Sequence, residues 1–94
     1  MFKRKFNPRI WTEQHGSEVR NNPRRAMTTQ LESEILRPGM SRSDVRAVLG
    51  APERTEPRAD VYLVGASPLG IDYEMYIIEY DDTDRVVKFF LRQG

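Results

Sequence analysis

The sequence has no cysteine, one histidine and no apolar run of membrane-spanning length. Without cysteine there are no disulfides and no thiolate zinc site. With one imidazole, His15 alone is left for histidine-based acid–base work or metal ligation. A transmembrane helix needs about 20 consecutive apolar residues. The basic start "MFKRKF" is not followed by the apolar segment of a secretion signal. Internal repeats and low-complexity tracts are also missing. The 94 residues make one small domain, which buries only about 60–70% of its unfolded surface and so has a thin core. Hydrophobic residues make up 38% of the chain and charged ones 31%, with enough aromatic and β-branched side chains to exclude a disordered composition.

The net charge of +1 hides an asymmetry. Residues 1–30 carry Lys3, Arg4, Lys5, Arg9, Arg20, Arg24 and Arg25 against two acids, a surplus of +5, and residues 31–94 carry eight bases against twelve acids, which is −4. The basic part suits nucleic acid, an anionic surface, or the acidic part of this chain or of a second copy.

Residues 1–22 show no clean period and read as an irregular arm, with a helical turn near 8–14. Its large apolar side chains, Phe2, Phe6, Ile10 and Trp11, need somewhere to pack. Asn22 and Pro23 then read as an N-cap and first helical position. Met27, Leu31 and Ile35, widened by Leu36, give a helical stripe over 23–36 that Pro38-Gly39 stops. The stretch "RPGMSRSDVRAVLGAP" encodes a second helix of two turns. Ser41 caps it, Asp44 favours its positive end, and Val45, Val48 and Leu49 form one apolar face. Gly50 and Pro52 end it. Residues 53–59 read as a polar loop. After them the period changes to two: Val61 and Leu63 alternate with Tyr62 and Val64, "DYEMYIIEY" with "RVVKFFL" forms a hairpin, and "DDTD" is its turn. The spacing predicts an α+β fold of two helices on a three-stranded antiparallel meander, residues 23–94, preceded by the arm.

The helices cover one sheet face. The other shows Met75, Ile77 and Phe90 in one register, or Val87, Phe89 and Leu91 in the alternative. A bare apolar face of that size calls for a cover: either the arm, through Phe6, Ile10 and Trp11, or a second chain.

"GMSRSDVRAVLGAP" followed by "IIEYDDTDRV" resembles the SmpA/OmlA (BamE) type of domain. Gly39, Met40, Ser41, Val45, Leu49, Gly50 and Pro52 match its helix signature. Tyr80, Asp81 and Val86 match its hairpin, where Asp84 replaces the usual glycine. Trp11, Arg24, Met27, "YLVG" and "GID" are also similar to a group of small uncharacterised bacterial proteins. The resemblance implies the αα-βββ fold shared with β-lactamase inhibitor proteins, and a binding role rather than an enzymatic one. The lipid-bearing cysteine of exported members is absent.

Candidate chemistry is sparse. A triad of His15 with Ser17 or Ser67 and Asp72 has no supporting spacing, and "GASPLG" is not a nucleophile elbow. "DDTD" lacks the closing glutamate of a calcium loop. Asp72 and Glu74 share a strand face and read as polar edge residues rather than a catalytic pair. The basic arm with Phe2, Phe6 and Trp11 could grip nucleic acid, but the sheet's need for those rings argues against it. A short basic patch on anionic lipid contributes only about 1 kcal/mol per residue. The expectation is a non-enzymatic, cofactor-free domain that binds a protein partner, a second copy included. Its candidate surface is Phe6, Trp11, Met75, Ile77 and Phe90. The alternative is nucleic-acid or anionic-surface binding through the arm. As written, without a signal or lipobox cysteine, the chain reads as cytoplasmic, and as an envelope protein if a signal has been removed.

Overall fold

The computed structural model describes residues 6–16, 23–66 and 73–93. Three helices lie on one side of a four-stranded antiparallel sheet of strand order β1-β2-β3-β4. The class is α+β.

Helix α1 (Pro8–Glu13) forms within the arm. Asn7 caps it, its Oδ1 accepting from the N–H groups of Arg9 (3.0 Å) and Ile10 (3.3 Å), and Pro8 supplies a preset φ at the first position. Helix α2 (Pro23–Gln30) continues through a π-helical turn, Leu31–Ile35. Leu36 N–H donates to Leu31 O at 2.9 Å, five residues back. This wider turn brings Leu31 and Leu36 towards the same face, and both are buried. The expected cap, Asn22, lies outside the described residues.

Helix α3 (Arg42–Leu49) is built as its sequence reads. Ser41 Oγ accepts from Asp44 N–H at 3.1 Å, and Val45 and Leu49 are fully buried with Val48 packed beside them. The N–H of Gly50 closes the helix on Arg46 O at 2.8 Å. Gly50 has φ 75° and ψ −169°, a region almost reserved for glycine. A Cβ there would also lie 3.1 Å from Thr12 Cγ2 of the arm. Gly50→Ala is therefore expected to cost about 1–3 kcal/mol in chemical denaturation. A loss below about 0.5 kcal/mol, the range of a neutral surface change, would contradict this account.

Strand β1 (Arg54–Glu56) pairs with β2 (Ala59–Ala66), which pairs with β3 (Tyr73–Tyr80), which pairs with β4 (Val86–Gln93). The period of two sends Asp60, Tyr62, Val64, Glu74, Tyr76, Ile78 and Tyr80 towards the helices. All are buried. Phe6, Trp11, Leu31, Leu36, Val45, Leu49 and Val86 complete this core. In the β3–β4 turn Asp84 has φ 58°, a left-handed conformation that aspartate tolerates better than most residues. The Asp81 carboxylate accepts from Thr83 N–H (2.8 Å), Thr83 Oγ1 (2.7 Å) and Arg85 N–H (3.0 Å), so it closes the turn.

The structure corrects the sequence reading in three places. The sheet has four strands, because the expected polar loop 53–59 folds into β1 and a two-residue turn. The arm is not wholly irregular, since it contains α1. Nor do its described residues, 6–16, cover the outer sheet face. Phe6 and Trp11 enter the core on the helix side, where Trp11 lies 5.9 Å from the Tyr62 ring, centroid to centroid.

Candidate functional site

Three polar or apolar constellations compete for the role of a site, and their accessibility separates them. The first is built on Arg24, whose side chain is fully buried. Its Nε donates to Trp11 O at 2.8 Å, and its Nη1 donates to Leu63 O at 2.9 Å and to Glu53. The guanidinium lies 4.8 Å from the centroid of the Trp11 ring and 5.9 Å from that of Tyr62. Glu53 also accepts from Leu63 N–H at 2.7 Å, and His15 Nδ1 sits 2.9 Å from its second oxygen. A buried cation is tolerated only when paired and hydrogen-bonded. This one ties arm, α2 and β2 together and presents no face to a ligand. It also gives Trp11, Arg24, Tyr62 and Leu63, separate fragments in the sequence, one location.

The second is built on Asp60, also fully buried. Arg42 Nη2 (2.8 Å), Arg46 Nη2 (2.7 Å), Arg46 Nε (3.0 Å) and Tyr80 Oη (3.0 Å) all donate to its carboxylate. Burial alone pushes the Asp60 carboxyl up, but the hydrogen bonds from Arg46, Arg42 and Tyr80 outweigh it and hold the group below its ordinary value. The Tyr80 phenol is pushed up by burial and by the Asp60 charge. Arg42 reaches further, donating to the carbonyls of Glu56 (2.7 Å), Pro57 (3.0 Å) and Ala59 (3.0 Å) and to Asp84 (3.2 Å). One side chain of α3 thus fixes the β1–β2 turn and the β3–β4 turn. Nothing in the spacing of this helix marks Arg42 and Arg46 as more than solvated bases. The available signal is that Asp60 shares the parity of Tyr62 and Val64, so it must face the helices.

Other candidates are dispersed. Glu74 is not an edge residue but is buried on the helix side, 3.1 Å from Arg25 and 3.3 Å from Gln93 Nε2. Asp72, Ser17 and Ser67 lie outside the described residues, as do Lys3, Arg4, Lys5 and Arg20. Of the remaining basic residues in 1–30, Arg9 pairs with Glu13, Arg24 with Glu53 and Arg25 with Glu74. The described bases of that segment are therefore held by acids of the same chain. Among the described residues no group of three His, Asp or Glu side chains is placed to hold a metal ion. No helix among them is long and apolar enough to cross a membrane.

The third constellation is the outer sheet face. Ala59, Val61 and Ile77 are buried there, with Met75 and Phe90 packed around them, in a cluster separate from the main core. The register places Ile77 opposite Phe90 and Val61 opposite Ile77. Of the two registers that the alternation allows, the structure takes the one with Met75, Ile77 and Phe90 outward. Charges rim the cluster. Arg54 pairs with Glu56 at 2.6 Å along β1, and Lys88 Nζ lies 5.1 Å from the Phe90 centroid. No described helix lies on this face. The five candidate surface residues accordingly divide: Met75, Ile77 and Phe90 are together on the outer face, whereas Phe6 and Trp11 are in the core beneath the other.

Strand β4 is the long edge of the sheet. Val87 and Leu91 on it are exposed at 53% and 41%. Its first residue is already engaged: the linker before α3 runs antiparallel to it, with Val86 N–H donating to Met40 O (2.8 Å) and Gly39 N–H to Val86 O (2.7 Å). From Val87 onward no described segment pairs with that edge. Of the three constellations, this face and edge are the ones that no described segment covers.

No protein-family model matches the chain, and no curated protein matches it.

Proposed function

We propose that this chain is a non-enzymatic protein-interaction domain of the SmpA/OmlA type that binds a partner through the outer sheet face and its β4 edge. The observation that carries this reading is the second apolar cluster, centred on Val61 and Ile77 and ringed by Met75 and Phe90, on a face that no described helix covers. A stripe of this kind with a charged rim has the layout of an interface core. The two buried charge clusters support the same reading. Their hydrogen bonds tie the helices to the sheet and so hold rigid the face that it presents.

The test is capture on immobilised protein, comparing wild type with Met75→Ser/Phe90→Ser. Both positions are only partly buried, so the double variant is expected to fold, which thermal melting checks. Two truncations at the centre of an interface are expected to lower retention of a specific protein at least about tenfold. If folded wild type and variant retain the same proteins in the same amounts, the face is not the binding surface.

A further inference from the structure

We propose that the open edge of β4 takes up an extended segment of a partner protein with the pattern acid–apolar–apolar–apolar–acid. The proposal rests on the interaction reading above and specifies the partner's chemistry.

The edge already recruits a strand-like segment. The linker from Gly39 to Ser41 pairs with it at Arg85 and Val86 and then turns away into α3. An incoming strand would continue where the linker leaves, along residues 88–92, a length of about 16 Å. At the opposite side of the sheet, β1 is three residues long and closed by its Arg54–Glu56 pair, which protects that edge. Strand β4 has eight residues, and its two charges, Lys88 and Arg92, are of one sign, so they turn away a like-charged strand and admit an acidic one.

Charge decides what fits. Between residues 85 and 93 the strand carries Arg85, Lys88 and Arg92 and no acid. Lys88, Phe90 and Arg92 alternate on the outer face, with Phe89 and Leu91 on the inner. A partner strand therefore meets a cation, an apolar ring and a second cation on one face, and two apolar side chains on the other. Cross-strand pairs favour opposite charges and apolar matches. The strand that β4 pairs with on its closed side follows this rule over most of its length. Glu79 faces Lys88, Ile78 faces Phe89, Ile77 faces Phe90 and Tyr76 faces Leu91. The required pattern reads the same in both directions, so parallel and antiparallel addition are both served.

A second copy fits less well. Two β4 strands overlapped antiparallel about Phe90 place Lys88 of each copy against Arg92 of the other, and like charges directly opposite are destabilising. A nucleic acid would meet the cations but leave the alternating N–H and C=O groups of the edge unmatched.

The probes are two fluorescent peptides, SEVIVES and SKVIVKS, titrated by anisotropy against the full chain. Wild type is expected to prefer the acidic peptide about tenfold. In Lys88→Glu/Arg92→Glu the preference is expected to invert, and Lys88→Ala/Arg92→Ala, which introduces no new repulsion with Glu79, abolishes it. Amide exchange is expected to slow at residues 87–93 on binding. Equal affinity for both peptides, protection confined to another strand, a β4-dependent dimer in sedimentation, or displacement of the acidic peptide by a single-stranded oligonucleotide would each overturn the proposal. The outcomes separate from those of the capture test. Peptide indifference with Met75/Phe90-dependent capture removes the edge and keeps the face. Charge inversion with capture that Met75→Ser alone, on β3 and off the edge, leaves unchanged does the reverse.

Discussion

Trp11→Ala is expected to remove about 3–5 kcal/mol of stability, the range for truncating a large buried aromatic. The whole stability of a domain this size is about 5–14 kcal/mol. The change should therefore lower the melting temperature by roughly 15–30 °C, or leave the chain unfolded at room temperature. The indole is fully buried between the Phe6 ring, at 5.8 Å, and the Tyr62 ring, at 5.9 Å. It is also the platform for the Arg24 guanidinium. Alanine keeps the backbone carbonyl that accepts from Arg24 Nε but deletes the platform, so a buried cation loses its largest neighbour. The Trp11 Nε1 donor, buried without an acceptor among the described residues, slightly offsets the loss, since alanine has no such group to desolvate. Urea denaturation of wild type, Trp11→Ala and Trp11→Phe checks this, with phenylalanine intermediate. A cost under about 1 kcal/mol for alanine would mean that the arm is an appendage and not part of the core.

Asp60→Ala is expected to cost a similar amount, about 3–5 kcal/mol, by another route. Little volume is lost, but two guanidinium groups lose their common anion. The Arg42 side chain is 12% exposed and that of Arg46 38%, so water screens the second more than the first. Breaking such a pair from one side costs more than the pair contributes, because the remaining charge stays buried. The pH dependence has a definite sign. The Asp60 carboxyl titrates lower in the folded chain than in the unfolded one. Its contribution is present above the ordinary value of 3.8 and is lost as pH falls through the lower, folded value. The stability gap between wild type and Asp60→Ala should hold steady from pH 7 to about 5 and narrow below about 4. A gap that is the same at pH 3 and pH 7 would show that the carboxylate charge is not what holds Arg42 and Arg46.

Both positions show where a sequence stops being legible. Helix α3 can be read to the residue because everything it needs lies within ten positions: a serine cap, an apolar triad, a terminating glycine. The period of two likewise locates β2, β3 and β4, and it offers the correct outer set of Met75, Ile77 and Phe90. Strand β1 escapes because Arg-Thr-Glu has no strand character of its own and exists as a partner for residues 59–61. Arg24, Asp60 and Glu74 escape because a charged side chain reads as solvated until its counter-ion is known, and each counter-ion lies 14 to 49 positions away in the chain. The arm's destination is hidden for the same reason. Trp11 needs the core, but nothing local says which side of the sheet the core will be on. The outer face is legible as apolar because its residues recur at every second position of their strands, a pattern that needs no distant partner to be seen.

The linker pairing at Val86 has a consequence for the order of events as the chain is made. The segment around Gly39 and Met40 waits for a partner 46 or 47 residues downstream. Trp11 and Arg24 likewise wait for Tyr62 and Leu63. Contacts so far apart in sequence raise the loop-closure cost and slow folding. During synthesis the helices precede the strands, and an interval separates the end of α3 at residue 49 from the end of β4 at residue 93. At about 5–20 residues per second that interval is a few seconds. Until β3 and β4 arrive with Tyr76, Ile78 and Val86, the core face of α2 and α3 stays only partly covered.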